Sequence, residues 1–170
     1  MTPATTLTTD RLTLRLPQAA DLPTYTAFCA SDRSRFVMGP FDAVQAFNKL
    51  CAMVGHWTLR GFGRYVMDLG GRGIGHVGPL AMDARDLPEF TWTLWDPAAE
   101  GQGLATEAAL AVKAHLFEDL GWTEMIIRIQ PGNTASCRSA ERIGAVLTDA
   151  EAPDWYPGAL TYRLTAGGAA

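Results

Sequence analysis

One glycine-bearing stretch of the sequence carries the residue types that can seat a phosphate. It runs from Asp96 to Ala108 and lies between a predicted buried strand and a predicted helix. Glycine lets the backbone approach a ligand closely, and the first turn of a helix offers unpaired amides at the positive end of its dipole. The stretch therefore indicates a phosphate or pyrophosphate site, with the alternative that Gly101 and Gly103 only form the turn.

A second glycine pattern, from Gly73 to Gly78, matches the Gly-x-Gly-x-x-Gly of dinucleotide-binding proteins. Pro79 follows directly and no helix is predicted to begin there, so a nucleotide role is not favoured. His76 could assist proton transfer in a cleft, although a single histidine in a strand is more often structural. Cys137 has no paired base in the sequence, which argues against a nucleophilic cysteine.

The cysteines and remaining histidines do not indicate a metal site. Cys29, Cys51 and Cys137 are odd in number, lie far apart and form no Cys-x-x-Cys pair with histidine partners. Neither a disulfide framework nor a metal centre is predicted, and we expect plain buried thiols. His56 and His115 lie within predicted helices and are expected to be surface or packing residues.

The elements that position these residues follow from hydrophobic periodicity. Helices are predicted over 18–30, between Asp42 and Gly61, over 104–120 and over 135–143. In the second helix, one apolar stripe predicts the face that packs on the core, formed by Val44, Phe47, Leu50, Cys51, Val54 and Trp57. Strands are predicted over 11–16, 65–69, 74–82, 90–95, 125–129, 146–148 and 160–164.

This order of elements predicts a mixed α/β (α+β) fold. The sheet is expected to have about seven strands and to be mostly antiparallel. A strand-helix-strand crossover makes 90–95 parallel to 125–129. Residues 1–170 are expected to form a single domain, since no repeat or linker interrupts the chain.

Composition excludes some function classes. The 170 residues are 48% hydrophobic and 19% charged, which is typical of a globular protein. The formal net charge of -4 argues against a nucleic-acid partner, because such proteins need a basic surface. No apolar run of signal-peptide or membrane-span type is found, so a cytoplasmic protein without a membrane partner is predicted.

The glycine-bearing stretch resembles a signature of the GNAT superfamily of N-acetyltransferases, and in particular of the ribosomal-protein N-terminal acetyltransferase subgroup. The family pattern Arg/Gln-x-x-Gly-x-Gly/Ala lines up with Glu100-Gly101-Gln102-Gly103-Leu104-Ala105. A second element, Asn-x-x-Ser before a helix, lines up with Asn133 and Ser136. The chain departs from the family at Glu100, where Arg or Gln is usual, and at Ala145, where Phe is common.

The resemblance implies a three-layer fold whose central parallel strands splay around acetyl-coenzyme A (acetyl-CoA), used as co-substrate without a metal. It also implies which residues hold this molecule. Main-chain groups of Leu94 and Trp95 would meet the pantetheine, and Asn133 would bind the pantetheine amide or cap a helix. The pyrophosphate would be held by the amides of Gly101, Gln102, Gly103, Leu104, Ala105 and Thr106.

The implied chemistry needs a base for the amine proton and an acid for the departing thiolate. Glu89 is placed to be the base, with a solvated carboxylate as the alternative. Ser136 resembles the hydroxyl that some relatives use as the acid, with helix capping as the alternative. The aromatic turn from Asp154 to Gly158 could form a wall of the acceptor pocket or simply pack as a turn.

The function expected from this resemblance is direct transfer of an acetyl group to a primary amine, in a ternary complex. A protein N-terminus and a small-molecule amine are both open as acceptor. The alternative is a catalytically inactive CoA-binding or sensor module of the same fold. The sequence leaves a homodimer open.

The charged residues are unevenly distributed along the chain. The segment 83–100 holds five acidic residues against Arg85 alone. This predicts an acidic approach for a cationic amine. Arg128, Arg138 and Arg142 predict a basic margin near the CoA phosphates.

Overall fold

The computed structural model describes residues 2–83 and 85–167 of the chain. The helices are α1 (Leu22–Cys29), α2 (Ala43–Arg60), α3 (Leu104–Ala114) and α4 (Thr134–Arg142). The strands are β1 (Thr6–Thr8), β2 (Thr13–Arg15), β3 (Tyr65–Leu69), β4 (Arg72–Leu80), β5 (Glu89–Leu94), β6 (Glu124–Ile129), β7 (Val146–Leu147) and β8 (Leu160–Thr165). Short 3₁₀ segments at Ala19–Asp21, Asp32–Val37 and Pro97–Ala99 and a π-helical turn at His115–Asp119 connect them.

The described strands form one sheet in the order β1-β2-β3-β4-β5-β6-β8-β7. Neighbouring strands are antiparallel except β5 and β6, which are parallel and share a single register pair, Glu89 with Ile126. Strand β6 is otherwise fully paired on its other side with β8. The two parallel strands therefore meet near their beginnings and diverge, which confirms the predicted mixed sheet with a splayed central pair.

Helices cover both faces of the sheet. One face packs against α3 and α4 through a large core that includes Phe90, Leu104, Val112 and Met125. The other face packs against α1 and α2 through a smaller cluster that includes Tyr25, Met53, Val66 and Trp95. Side chains alternate between faces along a strand, so Val66 of β3 points toward α1 and α2 while its neighbours Tyr65 and Met67 belong to the opposite core.

Helix α2 begins and ends where the sequence predicts. Asp42 accepts a hydrogen bond from the Gln45 amide at the N-terminus, and Gly61 ends the helix with a φ of 74°. The predicted buried stripe is confirmed only for Leu50, which is buried, and Trp57, which is partly buried; it is wrong for Val44, Phe47, Cys51 and Val54, which are exposed. The other buried residues of the helix are Ala46, Met53 and His56, which the stripe did not include.

Two other differences concern local structure. Strand β1 was not predicted; it pairs with β2 at the sheet edge and is only three residues long, too short for a periodic pattern to indicate it. The glycine pattern of 73–78 lies within β4, and no helix follows it, which removes the dinucleotide alternative. Gly75 is required there by close packing, since a Cβ atom would lie 2.4 Å from the carbonyl oxygen of Thr93.

The cysteines and histidines are mostly packing residues, as expected. Cys29 is buried and Cys137 is partly buried, but Cys51 is exposed, contrary to prediction. His56 accepts a hydrogen bond from the Ala81 amide, and His115 accepts one from the amide of Ala4. Within the described ranges, no group of three or more His, Cys, Asp or Glu side chains is placed to hold a metal ion.

Candidate functional site

Two adjoining cavities lie along the diverging strands β5 and β6. The loop cavity, of about 570 Å³, is bordered by the turn before α3 and by α4. The inner cavity, of about 270 Å³, lies between the sheet and the α1 side and is bordered by Glu89 and the aromatic turn near Tyr156. The cavities share a stretch of wall formed by Phe28, Phe36, Val37, Trp92, Thr93, Asn133 and Ser136.

The turn before α3 presents backbone amides to the loop cavity. Gly103 is the N-cap of α3 and has a φ of 76°, a conformation that glycine adopts without strain. Leu104, Ala105 and Thr106 are the first three helical residues and line the cavity, and helix amides at these positions have no intrahelical partner. The turn therefore has the geometry of an anion site at a helix N-terminus.

Gln102 is placed differently from its neighbours. Its side-chain amide donates to the carbonyl oxygen of Ala98 at 2.6 Å, and its main-chain carbonyl oxygen accepts from Arg11 Nη1 at 3.0 Å. It is not among the residues that line either cavity. Gln102 therefore stabilises the turn, and Gly101, with a φ of 73°, forms part of the cavity wall beside it.

The N-terminal segment holds the first turn of α3 in place. The Glu107 carboxylate accepts from the Thr9 hydroxyl at 2.5 Å and from Arg11 Nε at 2.7 Å. Burial acts to raise the pKa of Glu107, but these hydrogen bonds outweigh it and hold the pKa below its ordinary value. Glu107 is therefore tied to Thr9 and Arg11 and directed away from the anion site.

Glu100 is neutralised by an arginine that the sequence did not single out. Its carboxylate forms an ion pair with Arg33, from the 3₁₀ segment that follows α1. Arg33 also donates to the carbonyl oxygens of Trp95 at 2.6 Å and Leu94 at 3.0 Å. The carboxylate at the first signature position therefore has a partner, and Arg33 lies across the end of β5.

The prediction for Trp95 does not fit the structure. Its side chain is buried in the α1 and α2 cluster, and its amide donates to the Ile74 carbonyl oxygen at 2.7 Å. Its own carbonyl is held by Arg33, and it lines neither cavity. Both main-chain groups are thus already bonded.

Leu94 does line the loop cavity, and its carbonyl is available only when Arg33 moves.

A basic margin borders the loop cavity, but its residues are only partly those that the sequence predicted. Arg138 and Arg142 line the loop cavity as predicted, together with Arg33 and Arg35 from the segment after α1. Arg128 lies instead in the inner cavity, where its Nη1 donates to Glu89 Oε2 at 3.0 Å. The segment after α1 has no family pattern that would have marked Arg33 or Arg35 in the sequence.

Asn133 and Ser136 lie where the two cavities meet. The Asn133 side chain accepts a hydrogen bond from the Ser136 amide at 3.3 Å, so Asn133 is the N-cap of α4. Ser136 is the third residue of the helix and does not cap it, which removes that alternative. Its hydroxyl has no hydrogen-bond partner within residues 2–83 and 85–167, and it lines both cavities.

Glu89 lies at the start of β5, where the parallel strands are closest. Its side chain is only 15% exposed and pairs with Arg128. Burial raises the pKa of the Glu89 carboxyl above its ordinary value, and the charges of Arg128 and Arg64 offset part of that rise. The solvated-carboxylate alternative is thereby removed, and a carboxylate with raised basicity borders the inner cavity.

His76 borders the same cavity on β4. Its Nδ1 accepts a hydrogen bond from the indole of Trp95 at 3.0 Å. Burial, together with the charge of Arg64, lowers the pKa of His76 well below its ordinary value. The ring is therefore neutral at pH 7 and carries its hydrogen on Nε2.

The aromatic turn after β7 forms a wall of the inner cavity. Trp155 and Tyr156 stack with parallel rings 5.4 Å apart, and Arg128 lies over the Trp155 ring. The Tyr156 hydroxyl donates to the carbonyl oxygen of Phe36 at 2.7 Å. This bond links the turn to the segment after α1, so the two segments close one end of the cavity.

The charges of the inner cavity differ from the predicted acidic approach. Among the described residues, its wall has one carboxylate, Glu89, and three cationic side chains, Lys49, Arg64 and Arg128. The other acids of 83–100 that have partners are paired elsewhere: Asp83 with Arg85, Asp96 with Arg72 and Glu100 with Arg33. The predicted acidic approach is therefore wrong for this cavity.

No helix within the described residues is long and apolar enough to span a membrane.

Comparison with known proteins places these features in a family context. A family model described as an acetyltransferase (GNAT) domain matches residues 11–146. An acetyltransferase from Agrobacterium tumefaciens str. C58 is 37% identical, with a TM-score of 0.84 over 94% of this chain and 93% of that one. A Bordetella pertussis protein assigned to the GNAT acetyltransferases is 27% identical, with a TM-score of 0.76 over 94% of this chain and 99% of that one.

A more distant structure shares the fold alone. It is the RimL ribosomal L7/L12 alpha-N-protein acetyltransferase, solved in complex with coenzyme A, at 16% identity and a TM-score of 0.74. The alignment covers 92% of this chain and 94% of that one. The similarity therefore extends over nearly the whole chain.

Proposed function

The chain belongs to the GNAT acetyltransferase family, and from this membership we propose that it transfers the acetyl group of acetyl-CoA directly to a primary amine, without a metal. The observation that carries the proposal is the junction of the two cavities at Trp92, Thr93 and Ser136. One cavity has the features of a pyrophosphate site and the other has a carboxylate of raised basicity. Both reactants would meet at the shared wall, which supplies the proximity that direct transfer needs.

The loop cavity supports binding of the CoA moiety. Amides of the turn from Gly101 to Thr106 would hold the pyrophosphate, with Gln102 stabilising the turn from outside the cavity. Arg138 and Arg142 would offset the remaining phosphate charge. Leu94 and Asn133 border the path toward the inner cavity and are proposed to contact the pantetheine arm.

Glu89 and Ser136 are proposed to move the protons of the reaction. The amine nitrogen attacks the thioester carbonyl carbon and forms the new C–N bond, and the C–S bond then breaks. Glu89, directly or through water, takes the proton that the attacking amine loses. Ser136 gives a proton to the departing thiolate, since its hydroxyl lies at the junction.

The cellular location and the oligomeric state of the protein stay predictions from the sequence, which are a cytoplasmic location and a possible homodimer. The acceptor is a small amine or a protein N-terminus.

Ligand-induced stabilisation tests the proposal. Melting temperatures are measured with acetyl-CoA, CoA and NAD at about 100 times the dissociation constant, where binding raises the melting temperature by about 5 °C or more. We expect stabilisation by both CoA forms and none by NAD. Release of free thiol with a panel of amines then measures transfer.

The outcomes separate the two candidate functions. No stabilisation by either CoA form would refute CoA binding and the proposal with it. Stabilisation without thiol release on any amine would instead support the inactive CoA-binding or sensor module.

A further inference from the structure

We propose that the amine acceptor is a small molecule that also carries a carboxylate, and that Arg64 binds this carboxylate in the inner cavity. The proposal rests on the proposed function, because it names the acceptor class of the same site. Its basis is the position of Arg64, its lack of a partner and the charge of the surrounding wall.

Arg64 directly precedes β3 and has the same parity as Val66. Val66 is fully buried in the α1 and α2 cluster, so Arg64 points to that face of the sheet. Glu89, Thr91 and Thr93 face the same way from β5, because Phe90 between them belongs to the opposite core. Arg64 and the proposed base therefore border one cavity from two strands.

The Arg64 guanidinium has no hydrogen bond or ion pair with any residue in the described ranges 2–83 and 85–167. The other arginines that lie deep in the protein are paired. Arg15 bonds Asp21 at 2.8 Å and Asp68 at 2.7 Å. Arg128 bonds Glu89 at 3.0 Å. Arg64 thus lines the inner cavity with guanidinium N–H donors that no acceptor in these ranges uses.

An unpaired cation in such a position is costly to the fold. Burial lowers the pKa of Arg64, which means that its surroundings disfavour the charge, although arginine remains protonated at neutral pH. Its neighbours offset this only in part: Tyr25 is kept neutral by burial, and Glu89, whose charge favours the Arg64 cation, forms its ion pair with Arg128. An anionic ligand would provide the missing partner.

The rest of the wall favours the same ligand. Lys49 adds a third positive charge and lies over the Phe41 ring, with its Nζ 4.1 Å from the ring centre. A purely cationic amine would be repelled by this wall, whereas an amino-carboxylate brings a compensating charge. The same field disfavours the ammonium form of the acceptor and so favours the neutral amine that attacks the thioester.

Geometry favours a small carboxylate acceptor. The planar guanidinium matches a carboxylate with two parallel hydrogen bonds. The cavity volume of about 270 Å³ is near the lower end of ligand sites, which span about 300–1,000 Å³. A small amino acid suits this volume better than a bulky acceptor does.

The test compares acceptors that differ only in the anionic group. α-Amino acids, β-alanine and γ-aminobutyrate are each assayed beside the corresponding amide, and one aminoalkylphosphonate serves as a second anion. The enzymes are wild type, Arg64→Gln, Arg64→Lys and Arg60→Gln. Arg60 is an exposed arginine that bonds the Met82 carbonyl oxygen outside both cavities, so its variant controls for loss of one positive charge.

We expect wild type to prefer the carboxylates over the amides. Arg64→Gln should lower kcat/KM for carboxylates by roughly 10- to 100-fold more than for the amides, as loss of a charge-assisted hydrogen bond predicts. Arg64→Lys should give an intermediate loss, since it keeps the charge without the planar fork. Arg60→Gln should behave as wild type.

A binding measurement keeps this test independent of turnover. Calorimetric titration of the CoA-loaded protein with the same carboxylates should show binding that Arg64→Gln loses, and circular dichroism checks that the variant is folded. Transfer to amines without a carboxylate preference would overturn the inference and leave the proposed function standing. Carboxylate binding that depends on Arg64, without transfer to any amine, would uphold the site and refute the proposed function. Preference for the phosphonate alone would overturn the carboxylate assignment.

Discussion

The loop cavity and the inner cavity adjoin the same diverging strands but are built in different ways. The loop cavity presents backbone amides from one continuous turn, Gly101 to Thr106, and its charged side chains lie at the margin. The inner cavity presents side chains from separate elements, among them Tyr25 of α1, Lys49 of α2, Arg64 before β3 and Glu89 of β5. One is a local motif, and the other exists only after the sheet and helices have packed.

This difference bears on specificity. Backbone amides recognise a phosphate whatever the side chains are, so a phosphate site of this kind tolerates exchange of the side chains around it. Side chains of the inner cavity can be exchanged one at a time without disturbing the turn before α3. We therefore expect variants of the inner cavity to change turnover and acceptor choice, and variants of the loop cavity to change CoA affinity.

The largest expected effect is in the inner cavity, at Glu89. Glu89→Gln keeps the shape and one acceptor oxygen for Arg128 but cannot take the amine proton. We expect kcat at neutral pH to fall about 100-fold, within the usual range for loss of a general base. CoA affinity, measured by titration, should stay unchanged. Glu124→Gln is the matched control, because Glu124 also begins a strand and pairs with an arginine, Arg163, outside both cavities.

The pH profile sharpens this prediction. The pKa of Glu89 is raised by burial, so the carboxyl becomes protonated, and inactive as a base, at a higher pH than an ordinary glutamate. The rate of wild type should fall as pH decreases through that raised pKa. Glu89→Gln should lose this acid limb and recover part of its activity at high pH, where the amine deprotonates unaided. An equal loss at every pH would contradict the base assignment.

The next largest effect is in the loop cavity, at Gly103. Gly103→Val places a branched side chain at a φ of 76° beside the α3 amides. We expect the dissociation constant for CoA to rise about 10- to 100-fold, together with about 1–3 kcal/mol of backbone strain. Gly121→Val is the control, because Gly121 has a φ of 70° and open space around it but lines neither cavity.

The control separates strain from ligand exclusion. Both valine variants should lower the melting temperature by a similar amount. Only Gly103→Val should weaken CoA binding, as measured by calorimetric titration. Equal CoA affinity in the two variants would show that the turn before α3 does not hold the pyrophosphate.

The contrast also explains what could be predicted from the sequence. The turn before α3 was predictable because its glycines, its preceding strand and its following helix are consecutive. The parallel pairing of β5 and β6 followed from the crossover through α3, and the ends of α2 from Asp42 and Gly61. These features depend on neighbours in the chain or on strong topological rules.

Features that depend on distant packing were not predictable. The outward face of α2 carries the apolar residues Val44, Phe47 and Val54, which resemble a buried face. The core face combines Leu50 and Met53 with the small Ala46 and the polar His56, so hydrophobicity alone does not distinguish the two faces. The main-chain bonds of Trp95 to Ile74 and Arg33 depend on residues far away in the sequence, so the resemblance alone does not reveal them. Arg33 and Arg64 have no local signal, since their roles arise from Glu100 and the inner cavity.

A smaller effect is expected at the junction of the two cavities. Ser136→Ala removes a hydroxyl that lines both cavities, while Asn133 continues to cap the helix. We expect kcat to fall about 10-fold, less than the usual loss for a general acid, because a thiolate is a good leaving group. The melting temperature and CoA affinity should not change. Thr134→Ala, at the exposed first residue of α4, is the control.

Two results would contradict this assignment. A fall in melting temperature for Ser136→Ala larger than for Thr134→Ala would give Ser136 a structural role. An unchanged kcat would mean that water protonates the thiolate.

The smallest expected effect concerns Glu100, where the loop cavity departs from the family pattern. Its carboxylate is 57% exposed and pairs with Arg33. Removing this negative charge in Glu100→Gln leaves Arg33 free to face the phosphates. Exposed ion pairs contribute about 0.2–1 kcal/mol, so the dissociation constant for CoA should fall by no more than about 5-fold.

The salt dependence of CoA affinity distinguishes a charge effect of Glu100 from a structural effect of its pair with Arg33. If Glu100 acts through charge, the gain in CoA affinity should be greatest at low ionic strength and shrink at about 0.5 M salt, where exposed charges are screened. Arg33→Gln should weaken CoA binding with the same salt dependence. Weaker CoA binding by Glu100→Gln at every salt concentration would instead mean that the pair with Arg33 holds the turn in its binding geometry. In that case the loop cavity, like the inner cavity, would depend on side chains from distant elements. The two cavities would then differ only in that the loop cavity also presents backbone amides.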